Sequence, residues 1–175
     1  MENKFQEMWK RGVWLYAYLF VKVAYPRILS VNPSNLMSHK EVSDAWKETD
    51  HQDPDSYFAE FGKTVDDFRA DVQMLINQML FEKAVTCSKI ISSPDYWLAN
   101  CEKGKSINGA WLRTVILRFV AVFKMVNTFE EALAALKVRG VINSPDYWLA
   151  NAVEGKMVRG DYARILLTNT GKELI

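Results

Sequence analysis

The chain has 175 residues, of which 49% are apolar and 25% are charged, and its formal net charge is +1. This balance is typical of one globular domain or two small ones, and it excludes a disordered chain, a collagen and a small disulfide-stabilised protein. A charge so near neutral also argues against nucleic-acid binding through bulk charge.

The first 50 residues predict a helical segment that is not repeated elsewhere. Residues 5–24 read as one strongly apolar helix, which Tyr25-Pro26 ends. Its longest apolar run, residues 13–21, is far shorter than the roughly 20 residues of a membrane span. The N-terminus also lacks the basic, apolar and small-residue pattern of a signal peptide. We therefore expect a cytoplasmic protein with neither a signal peptide nor a transmembrane segment.

A capping box predicts a second, short helix in this segment. Ser38 and Glu41 have the spacing in which each side chain accepts a hydrogen bond from the other residue's amide, and the helix continues through Trp46. The acidic run that follows, residues 50–55, contains His51. Asp53 there is interpreted as the N-cap of the next helix and His39 as a surface residue, so no metal site is predicted.

A ten-residue string recurs in the second half of the chain with a single difference. Residues 91–100 read Ile-Ser-Ser-Pro-Asp-Tyr-Trp-Leu-Ala-Asn, and residues 142–151 repeat them with Asn143 in place of Ser92. The offset is 51 residues, and the match continues without a gap to Gly109 and Gly160. A period in this range is typical of supersecondary units that pack on one another.

A weaker copy precedes these two, with Asp-Pro-Asp-Ser-Tyr-Phe at residues 53–58 and Gly-Lys at residues 62–63. Terminal repeats are often atypical because one of their faces has no neighbour. We predict an N-terminal helical segment at 1–50 and one compact repeat region at 51–175, made of a degenerate copy at 53–80 and full copies at about 78–127 and 128–175.

Each copy is predicted to hold three short helices. The first is capped by Thr128 with Glu131 and ends at Gly140, a residue suited to the left-handed conformation. The second begins at Ser93 or Ser144 as N-cap, each followed by a proline, and is stopped by Gly104 or Gly155.

The third helix follows Gly109 or Gly160, and in the first full copy its apolar face has helical spacing: Trp111, Leu112, Val115, Ile116, Phe119, Val120 and Phe123. No stretch alternates as a β-strand does. The predicted fold class is all-α: a helical repeat bundle of short three-helix units, period about 51, with an N-terminal helical segment.

The combination Glu-Ala-Leu, Gly-Val-Ile-Asn-Ser-Pro-Asp-Tyr-Trp, Gly-Lys and Gly-Asp-Tyr-Ala, over about residues 78–170, resembles a repeat of Gram-positive bacterial and phage proteins that is often appended to cell-wall hydrolases. It also resembles, more distantly, the S-layer homology repeat. The resemblance implies an interaction module, and in the S-layer homology family the ligand is a secondary cell-wall polysaccharide. That family's ligand-contacting arginine has one match here, Arg159.

Several repeated side chains are candidates for ligand or partner contacts. Adjacent residues on a helix point about 100° apart, so one aromatic of each Tyr-Trp pair is expected at the surface, although packing between copies explains the same pairs. The lysines that follow glycine suit an anionic polymer or, alternatively, a helix C-terminus. The predicted binding residues are Tyr96, Trp97, Asn100, Lys105, Tyr147, Trp148, Asn151, Lys156 and Arg159.

The sequence shows no nucleophile elbow, no phosphate-binding glycine loop, no zinc-ligand spacing and no His-Glu helix motif, so a non-enzymatic protein without cofactor is predicted. Cys87 and Cys101 are interpreted as small hydrophobic residues. The predicted partner is a protein or an anionic cell-wall glycan; a surplus of basic residues at 91–127 leaves nucleic acid open. Three alternatives remain: an intracellular phage or host regulator that inhibits a host protein such as a defence nuclease, a self-assembling virion component, and a hydrolase using carboxylates such as Asp66, Asp67 and Asp71.

Overall fold

The computed structural model describes residues 2–24, 26–47 and 50–175. These residues are mostly helical, which confirms the all-α character, with a two-stranded ribbon in addition. In chain order the elements are α1 (Glu2–Tyr18), a π-helical turn (Leu19–Val23), α2 (His39–Trp46), α3 (Asp55–Ala59), α4 (Val65–Val85), α5 (Pro94–Asn100), β1 (Ser106–Asn108), α6 (Gly109–Ala121), α7 (Phe129–Val138), α8 (Pro145–Asn151), β2 (Met157–Arg159) and α9 (Gly160–Lys172).

The chain divides into two compact units, residues 1–77 and 78–175, with the boundary inside α4. This division differs from the one expected near residue 50. The reason is aromatic packing. The ring centres of Phe58 and Phe68, both from the degenerate copy, lie 5.0 and 5.1 Å from the ring centre of Trp9 in α1. The segment at 53–77 therefore shares a core with the N-terminal helix.

The first unit is built on the buried face of α1. Phe5, Trp9, Val13 and Ala17 recur every fourth residue and are all buried, as expected for one stripe of an amphipathic helix. The Trp9 Nε1 donates a hydrogen bond of 2.8 Å to Asp71. The predicted helix over 5–24 changes to π-helical geometry at Leu19, and Tyr25, its predicted end, lies outside the described residues.

The predicted capping box of α2 is confirmed. The Ser38 hydroxyl accepts a hydrogen bond from the Glu41 amide, and the Glu41 carboxylate accepts one from the Ser38 amide. Glu41 also pairs with the buried guanidinium of Arg69, which donates to the Leu36 carbonyl at 2.8 Å. These contacts fix the N-terminus of α2, where His39 is the first helical residue.

The second unit contains both full copies of the repeated string. The elements α5, β1 and α6 occur in the same order as α8, β2 and α9, and all their bounds differ by 51 residues. The strands pair antiparallel with Ile107 opposite Val158, which are equivalent positions of the two copies. The sequence did not predict these strands, because three residues are too few to show an alternating pattern.

Equivalent glycines bring the two copies into close backbone contact. A Cβ on Gly109 would lie 2.4 Å from the Asn151 carbonyl oxygen, and one on Gly160 would lie 2.2 Å from that of Asn100. The two glycine amides donate reciprocal hydrogen bonds, to the carbonyls of Lys156 and Lys105. Each copy therefore starts its last helix against the short helix of the other, in an approximately two-fold arrangement.

The caps of the short helices differ in detail from the prediction. Ser93 and Ser144 occupy the N-cap positions, but neither side chain forms a capping hydrogen bond. The helices end at Asn100 and Asn151, a few residues before Gly104 and Gly155, which were predicted to stop them. Both glycines have positive φ and lie in the turns that lead to the strands.

The C-terminus of α7 follows the prediction more closely. Gly140 has φ +69°, and the amides of Gly140 and Val141 donate to the carbonyls of Lys137 and Leu136, which is a Schellman motif. At the other end of the helix, the Thr128 hydroxyl accepts a hydrogen bond from the Glu131 amide, as predicted. The Glu131 carboxylate accepts one from the backbone amide of Asn127, the residue before the N-cap. None of the described helices is both long enough and apolar enough to cross a membrane.

Candidate functional site

The Tyr-Trp pairs of the two short helices divide between core and surface. Trp97 and Trp148 are only 4% and 7% exposed and belong to the hydrophobic core of the second unit. Tyr96 and Tyr147, one residue earlier on the helix, are half-buried at its edge. The two tryptophans predicted as binding residues are therefore mainly core residues, whereas the two tyrosines lie partly at the surface.

The repeated asparagine and lysine side chains serve the backbone. Asn100 donates to the Tyr96 carbonyl at 2.8 Å, and Lys105 donates to the Ala99 carbonyl at 2.7 Å. Asn151 and Lys156 make the same bonds in the second copy, to the Tyr147 and Ala150 carbonyls. Carbonyls in the last turn of a helix lack helical partners, so the lysines satisfy those of Ala99 and Ala150. The asparagines contact a carbonyl one turn earlier in their own helix. A role in closing the helix explains why both residue types recur.

Arg159 is held within its own turn. Its guanidinium forms a bidentate pair with Asp161, at 3.0 and 2.5 Å, and lies 4.4 Å from the centre of the Tyr162 ring. The hydrogen bond to Asp161 raises the pKa of Arg159 above its usual value and lowers that of the carboxyl group. The arginine singled out by the S-layer resemblance thus already has an anionic partner.

A cleft of about 300 Å³ opens beside Tyr96, between α5 and α6. Trp111 forms one wall; it is 53% exposed, and its ring meets Tyr96 edge to face at 4.8 Å. The expectation that Trp111 belongs to the apolar core face of the third helix is therefore wrong. The described lining consists of Ile90, Ile91, Ser92, Ser93, Tyr96, Trp97, Trp111, Thr114, Val115 and Arg118.

The backbone around this cleft positions Trp111 firmly. The Asn108 side chain accepts hydrogen bonds from the amides of Ala110 and Trp111, so it caps α6. Two residues before Trp111, at the first position of the helix, Gly109 is pressed against the other copy. The first turn of α6 is thus fixed on both sides, and the direction in which Trp111 leaves the helix is fixed with it.

Arg118 supplies the only charged group of the described cleft lining. It is exposed, and its guanidinium forms no ion pair or hydrogen bond with any residue that the structure describes. Arg113 on the same helix, by contrast, lies over the Phe129 ring at 4.1 Å. Arg118 is therefore available to an anionic group of a ligand, whereas Arg113 is engaged in packing.

The equivalent positions of the second copy have a different chemistry. Tyr162 replaces Trp111, Ile165 replaces Thr114 and Asn169 replaces Arg118. The Asn169 amide donates to the Val141 carbonyl at 3.1 Å, so it is used within the fold. The combination of an exposed indole with an unpaired cation therefore belongs to the first copy alone. Comparing the copies for differences, instead of identities, would have found it in the sequence.

A second polar cluster lies in the first unit. His39 and Asp53 are joined by a hydrogen bond of 2.9 Å, and the His51 ring nitrogen lies 3.7 Å from the other Asp53 oxygen. Asp53 was expected to cap α3, which is wrong: the helix begins at Asp55 with Pro54 at the N-cap. A cleft of about 270 Å³, lined in part by Ser38, His39 and Asp53, adjoins this cluster.

The cysteines do not add a reactive group to either site. Both are free thiols, and Cys101 is buried in the core of the second unit. Burial raises the pKa of the Cys101 thiol to about 12, against an opposing effect of Arg164. Because the thiolate is the reactive form, Cys101 is inert near neutral pH.

Comparison of the chain with known protein families, with curated proteins and with solved structures finds no match.

Proposed function

We propose that the protein is a non-catalytic binding module whose cleft at Tyr96, Trp111 and Arg118 takes an anionic glycan. The observation that carries this proposal is the exposed Trp111 ring in one cleft with the unpaired Arg118. An apolar, aromatic wall with a few convergent polar groups is typical of ligand pockets.

The chemistry of the lining favours this class of ligand. The guanidinium of Arg118 presents a planar set of donors that matches carboxylate and phosphate groups. Ser92 and Ser93 add hydroxyl groups to the lining, and the exposed Trp111 indole offers an apolar face on which a sugar ring can stack.

The proposal includes the repeat organisation. The copies at 78–127 and 128–175 are interpreted as one duplicated unit of period about 51, in which three helices and a strand recur, and the segment at 53–80 as a degenerate copy that lacks the strand. The equal offsets of six elements support the duplication. The resemblance to repeats appended to cell-wall hydrolases supports a wall glycan of Gram-positive bacteria as the ligand, in a bacterial or phage protein.

The test is co-sedimentation of the native protein with purified Gram-positive cell walls. We expect Trp111→Ala to weaken binding at least about tenfold, as for an aromatic side chain that becomes buried in an interface. Arg118→Gln is also expected to weaken binding. The matched control is Tyr162→Ala in the second copy, which is expected to bind as the native protein does. Walls stripped of their anionic polymers are expected to bind less.

Circular dichroism shows whether each variant is folded. We expect Trp111→Ala to be folded, because Trp111 is an exposed residue whose removal leaves the core intact. Native protein that stays in the supernatant, or a Trp111→Ala variant that binds as tightly as Tyr162→Ala, contradicts the proposal. Clearing of the wall suspension by the native protein contradicts its non-catalytic part.

A second candidate function, self-association, is favoured by the outer face of α1. Trp14 is 53% exposed and stacks on Tyr18 at 5.2 Å, and Leu15 and Met8 are exposed beside a groove of about 420 Å³. Exposed aromatic and aliphatic side chains close together on one helix are typical of interaction sites. We expect light scattering to show concentration-dependent dimers that Trp14→Ser with Leu15→Ser abolishes, while the surface variant Lys10→Ser leaves them intact. A native protein that stays monomeric at the highest concentration measured contradicts this candidate.

A further inference from the structure

Both histidines of the chain lie at one place in the first unit. The sequence contains two, His39 and His51, and their rings are 5.8 Å apart with Asp53 beside both. One ligand atom from each of the three side chains lies within 4.8 Å of the others. All three side chains are exposed, so an ion can reach them from solvent.

The two histidines are both linked to α2 through the backbone. His39 is the first residue of that helix, and the Ser38–Glu41 capping box fixes its start. The backbone carbonyl of His51 accepts a hydrogen bond of 3.0 Å from Ser43, a buried residue of the same helix. The backbone of both histidines therefore contacts α2, although the two are twelve positions apart in sequence.

We propose that His39, His51 and Asp53 bind one divalent transition-metal ion, with Zn²⁺ as the ion that fits the donors best. Two imidazoles and one carboxylate are ligands that zinc takes in three-ligand sites, where water fills the remaining position. The imidazoles favour zinc, nickel or copper over magnesium and calcium, which prefer oxygen. The ion would replace the present contacts to Asp53 and join the loop at residues 50–54 to the start of α2.

The distances are close to those a metal needs. Zinc binds nitrogen and oxygen ligands at about 2.0–2.2 Å, so ligand atoms of a tetrahedral site lie roughly 3.4 Å apart. His39 and Asp53 are already closer than this, and the atoms of His51 need to approach by about an ångström. Rotation of exposed side chains is sufficient for that movement.

The experiment is a calorimetric titration of untagged, EDTA-treated full-length protein with ZnCl₂, with MgCl₂ as the comparison. We expect one Zn²⁺ per chain and no binding of Mg²⁺. In a parallel NMR titration the ring signals of both histidines are expected to shift together with the same stoichiometry. His39→Ala, His51→Ala and Asp53→Asn are each expected to weaken binding about tenfold or more, since each removes a ligand.

Two control variants make the result specific. Asp50→Asn removes a neighbouring exposed carboxylate that is not part of the cluster, and Cys87→Ser removes the half-exposed thiol; both are expected to bind zinc as the native protein does. The proposal is overturned if the native protein binds no zinc, if the histidine signals stay unchanged, if His39→Ala binds as the native protein does, or if Cys87→Ser abolishes binding. Because the three side chains are exposed, circular dichroism is expected to show folded variants throughout.

Discussion

Replacing Gly109 by alanine is expected to lower the free energy of unfolding of the second unit by about 3 kcal/mol, at the upper end of the cost of overpacking a closed contact. The added methyl group would lie 2.4 Å from the Asn151 carbonyl oxygen and 2.6 Å from that of Val153. Both obstacles are backbone atoms, so they cannot turn away as a side chain would. Gly160→Ala is expected to cost the same, because its methyl group meets Asn100 and Glu102 in the same way.

Equilibrium urea unfolding followed by circular dichroism measures this effect. Gly104→Ala and Gly155→Ala are the matched controls, since nothing lies within 4 Å of a methyl group there and only the positive φ is unfavourable. A left-handed alanine costs about 1–2 kcal/mol, so both controls are expected to remain more stable than the two test variants. Gly109→Ala with a midpoint at or above that of Gly104→Ala would falsify the close-contact explanation.

Trp97→Ala is expected to destabilise the second unit by about 3–5 kcal/mol, the range for loss of a buried aromatic side chain. Trp148→Ala is expected to do the same, because both rings lie in one hydrophobic core. Trp111→Ala is expected to change the free energy of unfolding by less than about 1 kcal/mol, since Trp111 is already 53% exposed. Urea midpoints of the three variants check this order.

The same variants separate packing from binding. Trp97→Phe keeps most of the core volume, so it is expected to stay folded. Because Trp97 lines the cleft but is only 4% exposed, its replacement is expected to weaken wall binding much less than Trp111→Ala does. A folded Trp97→Phe protein that has lost wall binding while Trp111→Ala retains it contradicts the assignment of the cleft. This outcome would indicate that Trp97, and not Trp111, contacts the wall ligand.

Local sequence signals predicted the helix boundaries well where one residue decides the conformation. The capping box at Ser38, the cap at Thr128 and the left-handed Gly140 depend on hydrogen bonds within a few residues, and all three occur. The short ribbon could not be predicted in this way, because Ile107 finds its partner Val158 in the other copy. Its pairing follows from tertiary contact, which three residues of sequence do not encode.

The candidate site was harder to predict for a related reason. Repetition drew attention to Trp97 and Lys105, yet each recurs because the fold needs it, one in the core and the other on a helix carbonyl. Trp111 and Arg118 differ between the copies and were therefore passed over. His39 and Asp53, fourteen residues apart, meet through the loop that follows α2, and no spacing rule predicts that contact.

The ribbon and the reciprocal glycine contacts give the second unit the character of a fused homodimer. A single copy would leave the edge of its strand and the contact surface of its glycine uncovered, so we expect neither half to fold without the other. Where the two halves touch most closely, the residue is the same in both, as with Gly109 and Gly160. Positions that face outward carry no such constraint, so one half can acquire a cleft while the other half keeps the scaffold intact.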